Sequence, residues 1–149
     1  MKFKEAVFAY YRNLLEDKIQ FLENSLEELK GMGANESKST AGDKHETALA
    51  MLQIEQERLR NQLQIAIQEL QNFTQIPTDL VTEKIGLGSL IKSNGTYYFL
   101  SSALGKAEIM GNKVIALSKQ SPLGGQLFGK RLNDFAELNG MKYPIEAIQ

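Results

Sequence analysis

The sequence has 149 residues, no cysteine and no tryptophan, and only one histidine and three prolines. Without cysteine the chain has no disulfide bond, no thiolate metal site and no thiol nucleophile. His45 is the single histidine, which argues against a zinc site of the usual histidine and cysteine ligands. No apolar run is long enough to cross a bilayer, and the first residues lack the apolar stretch of a signal peptide. We therefore expect a cytoplasmic protein with no membrane partner.

A strong charge of one sign is also lacking, since the formal net charge is −1. Residues 1–75 hold nine basic and twelve acidic residues, giving −3, and residues 76–149 hold eight and six, giving +2. Neither half is basic enough to bind nucleic acid by charge alone, so we predict no sequence-specific DNA binding. The sequence also has no glycine-rich phosphate loop, nucleophile elbow or Ser–His–Asp set, so we do not expect an enzyme in its own right.

The first half shows two helical stripes, in which apolar residues recur at alternating spacings of three and four. Such heptad stripes keep one side of a helix against a partner helix. Residues 31–42, with three glycines and a Ser/Thr cluster, interrupt the pattern. We predict an antiparallel coiled-coil hairpin over residues 1–75 with a tip loop at about 31–45; a parallel homodimeric coiled coil is the alternative. The stripes are Leu15, Ile19, Leu22, Leu26 and Leu29, then Leu49, Leu52, Gln56, Leu59, Leu63, Ala66, Leu70 and Phe73.

The second half changes to short apolar runs bounded by turn residues, which is typical of β-strands. These runs cover residues 87–92, 96–100, 114–117 and 135–138. The dipeptides Asn-Gly at 94–95 and at 139–140 predict two β-hairpins, because both central residues of a type I′ turn need positive φ.

A short helix is predicted after Ser121, with that residue as its N-cap and Pro122 in its first turn. Pro77 ends the second long helix, which leaves residues 76–85 as a linker. The predicted fold class is therefore α+β: a long antiparallel helical hairpin, then a small antiparallel β domain with one short helix in residues 86–149.

Two stretches of the second half resemble the C-terminal domain of Gre-type bacterial transcription elongation factors. They are residues 86–91 (GLGSLI) and residues 114–134 (VIALSKQSPLGGQLFGKRLND), which match the family's strand, Ser-Pro-Leu-Gly, short helix and Leu-x-Gly-Lys-x-x-Gly-Asp. Asn133 replaces the family's usual glycine, and asparagine also tolerates left-handed φ. Residues 42–48 (GDKHETA) resemble the family's tip, Gly-Asp-x-x-Glu-Asn-Ala. The resemblance implies an FKBP-like fold for residues 86–149.

The resemblance also implies a function for the tip acids. Gre factors bind RNA polymerase and insert the coiled coil into its secondary channel. By this resemblance Asp43 and Glu46 would help hold a second Mg²⁺ at the polymerase active site, stimulating cleavage of the nascent RNA 3′ end in backtracked complexes. Carboxylates suit Mg²⁺, which prefers oxygen ligands. The catalytic activity would belong to the polymerase, and the chain alone would bind no Mg²⁺ stably.

Other polar residues are candidates for contacts with these partners. Lys38 and Lys44 lie near the acids and would meet transcript phosphates, although ordinary solvated lysines are the alternative. In the second half, Ser121, Pro122, Lys130 and Arg131 are the candidates for polymerase binding.

The spacing of Asp43 and Glu46 also fits a capping box, in which the first residue caps the helix and the second reaches back to it. After Glu46 the family usually has Asn-Ala-Glu-Tyr, where this chain has Thr-Ala-Leu-Ala at 47–50. Two further functions thus stay open: a Gre-like secondary-channel regulator without cleavage activity, and a coiled-coil adaptor unrelated to transcription.

Overall fold

The computed structural model describes residues 2–36, 42–79 and 81–149, without the side chains of residues 34–36 and 42–45. It forms two compact units, one of Met1–Arg12 with Phe73–Gln149 and one of Asn13–Asn72. In the parts of the chain described, no helix has the length and apolar content needed to cross a membrane. The elements are α1 (Phe3–Glu36), α2 (Gly42–Thr74), β1 (Leu90–Ser93), β2 (Thr96–Leu100), β3 (Gly105–Ile109), β4 (Asn112–Leu117), α3 (Pro122–Leu127), β5 (Phe135–Leu138), β6 (Met141–Pro144) and β7 (Ala147–Ile148).

The unit of Asn13–Asn72 is a helical hairpin held by the two apolar stripes. Its core consists of Leu22, Leu26, Leu59 and Ala66, with Ile19, Leu29 and Leu63 partly buried against it. Between these positions most exposed side chains are charged or amides, although some large apolar side chains, such as Phe21 and Ile54, are also exposed. The period of the apolar residues therefore predicted the buried side of both helices correctly.

The predicted start of the tip loop, at residue 31, is wrong. Helix α1 continues through Gly31 and Gly33 to Glu36, and α2 begins at Gly42. A glycine inside a helix costs only about 1 kcal/mol of stability relative to alanine. A helix that is stabilised by packing of its apolar stripe can therefore contain two glycines. The helices consequently reach further towards the tip than the glycines indicated.

The other unit contains a five-stranded sheet of order β3-β4-β2-β1-β7 and a separate hairpin of β5 with β6. All pairings are antiparallel except that of β2 with β4, which is parallel and places Tyr98 beside Ile115. The α+β class with one short helix is therefore confirmed, although one pair of strands departs from a purely antiparallel sheet.

Alternation along β2 gives this sheet two apolar surfaces, because successive strand residues point to opposite sides. Tyr98 and Leu100 belong to a core cluster with Leu127 of α3. On the other surface, Phe99 contacts Tyr11 and Phe73, with ring centroids 6.3 Å and 6.2 Å away. This packing explains why the first turns of α1 and the end of α2 form one unit with the sheet.

Both predicted Asn-Gly turns are present, with φ of 52° at Asn94 and 53° at Asn139. Asn133 has φ of 72°, so it adopts the left-handed conformation that its place in the motif requires. A further turn, at Met110 and Gly111, joins β3 to β4 with φ of 51° and 78°. Sequence analysis missed this turn and β3 with it, because methionine is not a residue that favours positive φ.

The segment before β1 is packed against the rest of its unit. Ile85 is 1% exposed; its N–H donates to the Lys130 carbonyl at 2.8 Å, and its own carbonyl accepts from the Gly129 N–H at 2.8 Å. Gly88 has φ of 91°, and a β-carbon at this position would lie 1.8 Å from the Pro77 carbonyl oxygen. The backbone here is thus fixed by hydrogen bonds and by an approach that only glycine permits.

Candidate functional site

The two predicted metal-binding acids lie in the first turns of α2. This helix begins at Gly42, so the backbone of both Asp43 and Glu46 is helical. Residues three apart on a helix share a side, which puts the two positions on one side of the tip. The Glu46 side chain is exposed to solvent. The Asp43 side chain lies outside the described residues, so the capping-box interpretation stays a prediction.

The start of a helix favours negative charge, because its free N–H groups carry partial positive charge. Carboxylates at the start of a helix are therefore favoured by the helix itself. Two carboxylates are too few to hold Mg²⁺ tightly, since that ion seeks six oxygen ligands and usually keeps several waters. Two carboxylates alone would thus leave most of the coordination positions of Mg²⁺ unfilled.

The two lysines predicted to meet RNA phosphates are less well defined. Lys38 lies outside the described residues, and Lys44 is placed only through its backbone in α2. Both assignments stay predictions.

In the sheet-containing unit, Ser121 and Pro122 begin α3 as the sequence predicted. The Ser121 hydroxyl accepts from the Gly124 N–H at 3.1 Å and donates to the Ser118 carbonyl at 2.7 Å. Pro122 occupies the first turn, where a missing N–H costs nothing. Ser121 thus has a complete structural role, while Pro122 is exposed.

Lys130 and Arg131, the two basic residues after α3, also make contacts within their own unit. The Arg131 guanidinium lies 3.0 Å from a carboxylate oxygen of Glu83, and its backbone N–H donates to Asp134 at 2.8 Å. The Arg131 side chain remains half exposed, so this ion pair is solvated and contributes little to stability. Lys130 is partly buried, and its carbonyl accepts the hydrogen bond from Ile85.

A groove of about 290 Å³ lies beside α3, and sequence analysis did not find it. At its edge the Lys119 ammonium lies 3.9 Å from the centroid of the Phe128 ring, a cation–π contact. Phe128 and Leu87 are 41% and 51% exposed. A pattern of apolar residues indicates burial, so it could not show that these two side chains remain at the surface. The lining residues are Leu87, Leu100, Ser101, Lys119, Gln120 and Phe128.

Comparisons with known proteins add a structural likeness. No family model and no curated protein matches this sequence. Among solved structures, the chain is similar to GreA factor homolog 1 (Gfh1) of Thermus thermophilus, at 16% sequence identity and a TM-score of 0.36. The match covers 93% of this chain and 94% of that one.

Proposed function

We propose that this protein is a transcription elongation factor that binds RNA polymerase and stimulates the polymerase to cleave backtracked transcripts. In this proposal the helical hairpin enters the secondary channel and brings Asp43 and Glu46 to the active site. The sheet-containing unit docks on the polymerase surface. The chain then acts as a cofactor, and the nuclease activity belongs to the polymerase.

The observation that carries the proposal is the position of the two acids. They lie in the first turns of a helix of 33 residues, which is about 50 Å long at ~1.5 Å per residue. A slender hairpin with acids at its end is suited to reach a buried centre through a narrow opening. The sequence motifs at 42–48 and 114–134 support the same assignment by resemblance.

The proposed cleavage chemistry requires only two oxygen ligands from this chain. In a two-metal site, a second Mg²⁺ lowers the pKa of its bound water and stabilises charge in the displacement. Asp43 and Glu46 would supply carboxylate oxygens to that ion. Every remaining ligand and the RNA would come from the polymerase complex.

The sequence after Glu46 favours a second candidate, a secondary-channel regulator that does not stimulate cleavage. Thr47, Ala48, Leu49 and Ala50 include no further acid and no aromatic residue. Leu49 is partly buried and continues the apolar stripe, so this position serves packing. Such a protein would occupy the channel without completing the metal site.

The test begins with binding and then measures cleavage. A pull-down with the tagged protein should recover RNA polymerase from the source bacterium, and failure to recover it would favour an adaptor outside transcription. The purified protein should then shorten the RNA of stalled, backtracked complexes. Transcript shortening should fall to the level of the polymerase alone in the Asp43→Ala/Glu46→Ala variant, which should still bind.

A matched control uses two other exposed acids of the hairpin, Glu23 and Glu27. The Glu23→Ala/Glu27→Ala variant removes the same charge away from the tip and should keep full activity. Binding without any RNA shortening by the wild type would establish the second candidate. Full activity of the tip variant would contradict the donor role of Asp43 and Glu46.

A further inference from the structure

Two Asn-Gly pairs form hairpin turns in this protein, and an Asn-Gly pair is also chemically labile. Asn94-Gly95 joins β1 to β2, and Asn139-Gly140 joins β5 to β6. In such a pair the backbone nitrogen of the glycine can attack the side-chain carbonyl carbon of the asparagine, because glycine has no β-carbon to obstruct the approach. Both asparagines are exposed to solvent. Their surroundings differ, and the difference indicates which of them reacts.

The attacking nitrogen has the same position in both turns. A β-turn closes with a hydrogen bond from the N–H of its fourth residue to the carbonyl of its first, so the N–H of the second central residue takes no part in that bond. Gly95 and Gly140 occupy this position, with φ of 78° and 79°. Asn133 provides a contrast, because the N–H of the next residue, Asp134, donates to the Arg131 carbonyl at 3.0 Å. The reaction is therefore expected at the Asn-Gly turns and not at Asn133.

The side chains of the two turn asparagines have different contacts. The Asn94 side-chain amide donates to the backbone carbonyl of Lys142, 48 residues away, at 3.2 Å. That bond restrains rotation of the Asn94 side chain towards the glycine nitrogen. Within the described parts of the chain, the Asn139 side chain makes no hydrogen bond. Its carbonyl carbon can therefore rotate towards the Gly140 nitrogen without breaking such a bond.

The strands that flank the two turns also differ in their support. Strands β1 and β2 lie inside the five-stranded sheet, where β7 and β4 are their outer neighbours. Strands β5 and β6 form a sheet of two strands. A two-stranded hairpin is only marginally stable by itself, so its turn opens more easily than a turn between two inner strands of a larger sheet. Opening gives Asn139 access to the backbone conformations that ring closure requires.

We propose that Asn139 is a site of spontaneous conversion to aspartate and isoaspartate, and that the fold protects Asn94 from the same reaction. The Gly140 nitrogen bonds to the side-chain carbonyl carbon of Asn139, the C–NH₂ bond breaks, and ammonia leaves with the proton of the Gly140 N–H. The product is a five-membered succinimide ring, which water then opens. Breaking the new C–N bond gives aspartate, and breaking the original peptide bond gives isoaspartate.

The reaction has two consequences for the protein, and neither depends on the proposed role in transcription. A neutral amide becomes a carboxylate, so the formal net charge changes from −1 to −2. Isoaspartate also adds a methylene group to the main chain beside the pairing of Leu138 with Met141. Ala136 of the same strand belongs to the core cluster, so displacement of β5 would disturb buried packing. The modified protein should therefore unfold at a lower temperature than freshly prepared protein.

The test is a time course in which the folded, full-length protein is kept near neutral pH at physiological temperature, then digested with trypsin and analysed by mass spectrometry. Residues 132–142 form one peptide, with Asn133 and Asn139, and residues 93–106 form another, with Asn94. The first peptide should gain the mass difference between NH₂ and OH several times faster than the second. Fragmentation should place the change at Asn139 and show both aspartate and isoaspartate. Equal rates for the two peptides, a change at Asn133, or aspartate alone would overturn the proposal.

The matched control is the same chain unfolded in guanidinium chloride. Asn94 and Asn139 are both followed by glycine, so they should react at similar rates when the fold is absent. A difference between the two peptides that persists in the unfolded chain would refute protection of Asn94 by the fold. In the folded Asn139→Gln variant, the peptide of residues 132–142 should stay unchanged over the same period, because the longer side chain would have to close a less favourable six-membered ring.

Discussion

At the scale of single residues, the surroundings of Gly124 show why the Ser-Pro-Leu-Gly stretch ends in glycine. A β-carbon at this position would lie 1.9 Å from the Ser118 carbonyl oxygen and 2.7 Å from the Ser121 hydroxyl. Those two atoms are already joined by a hydrogen bond of 2.7 Å. The helix start can therefore sit against the preceding strand end only because residue 124 has no side chain.

Substitution of Gly124 should consequently destabilise the protein. Gly124→Ala would displace backbone and should lower the free energy of unfolding by about 2–3 kcal/mol, in the range of overpacked cores. Gly125→Ala is the matched control, because its β-carbon would lie 3.4 Å from the nearest atom, the Lys119 carbonyl oxygen. It should change stability by less than about 1 kcal/mol. Urea unfolding followed by circular dichroism would measure both values, and equal losses would contradict this explanation.

Tyr11 predicts a loss of stability at alkaline pH. It is fully buried and its hydroxyl donates to the Gly105 carbonyl at 2.8 Å. Burial raises the pKa of Tyr11 from 10.0 to about 12. A pKa raised by folding means that the native state favours the neutral phenol. The stabilisation is therefore complete below pH 10 and is lost as the pH rises through the folded-state value.

The comparison of wild type with Tyr11→Phe isolates this effect, because all other tyrosines are common to both chains. At neutral pH the variant should be less stable by about 1 kcal/mol, the net value of one hydrogen bond. The difference in unfolding free energy should shrink between about pH 10 and pH 12. In that range the phenol of Tyr11 loses its proton in the unfolded wild type and keeps it in the folded state, whereas the variant has no phenol at this position. A constant difference across that range would show that Tyr11 does not titrate as described.

At the scale of elements, the hairpin depends on a narrow seam. Leu59 is 7% exposed within the seam, and Leu59→Ala should lower the free energy of unfolding by about 2–4 kcal/mol through a lost transfer term and a cavity. Ile67→Ala, on the exposed side of the same helix, should lower it by less than about 1 kcal/mol. Urea unfolding of the helical signal measures both. A larger loss for Ile67→Ala would mean that the seam is assigned to the wrong side.

The elements also show how far sequence could predict the fold. Heptad spacing located both helices, and Asn-Gly pairs located two hairpins, because each signal is local and has a direct steric or periodic cause. Strand β3 (Gly105–Ile109) could not be found, since it carries only two apolar side chains beyond glycine and depends on pairing with β4. The parallel pairing of β2 with β4 is likewise a tertiary feature with no local signal.

The candidate site was predictable in part. Ser121 as helix cap followed from its hydroxyl and the proline after it, and the structure has that bond. The placement of Glu46 near the start of α2 followed from the segment that ends at Gly42, because its glycines and Ser/Thr cluster interrupt the helical pattern. The groove at Phe128 could not be predicted, because an exposed aromatic residue and a buried one look the same in a sequence.

At the scale of the whole molecule, charge is divided between the two compact units. Residues 13–72 carry −5, so the remaining residues carry +4, which together give the net charge of −1. An acidic hairpin gains nothing from the phosphates of nucleic acid. Entry into a polymerase channel would therefore have to be driven by contacts between protein surfaces, with the tip acids neutralised by a shared cation.

The measurement that tests the proposed function most directly is the Mg²⁺ dependence of transcript cleavage in backtracked complexes. If the tip supplies ligands, the wild-type protein should lower the Mg²⁺ concentration required for half-maximal cleavage. The isosteric Asp43→Asn/Glu46→Gln variant keeps the shape of both side chains and removes their charge, so it should return that requirement to the value of polymerase alone. An identical Mg²⁺ dependence with the wild type and the amide variant would contradict the account.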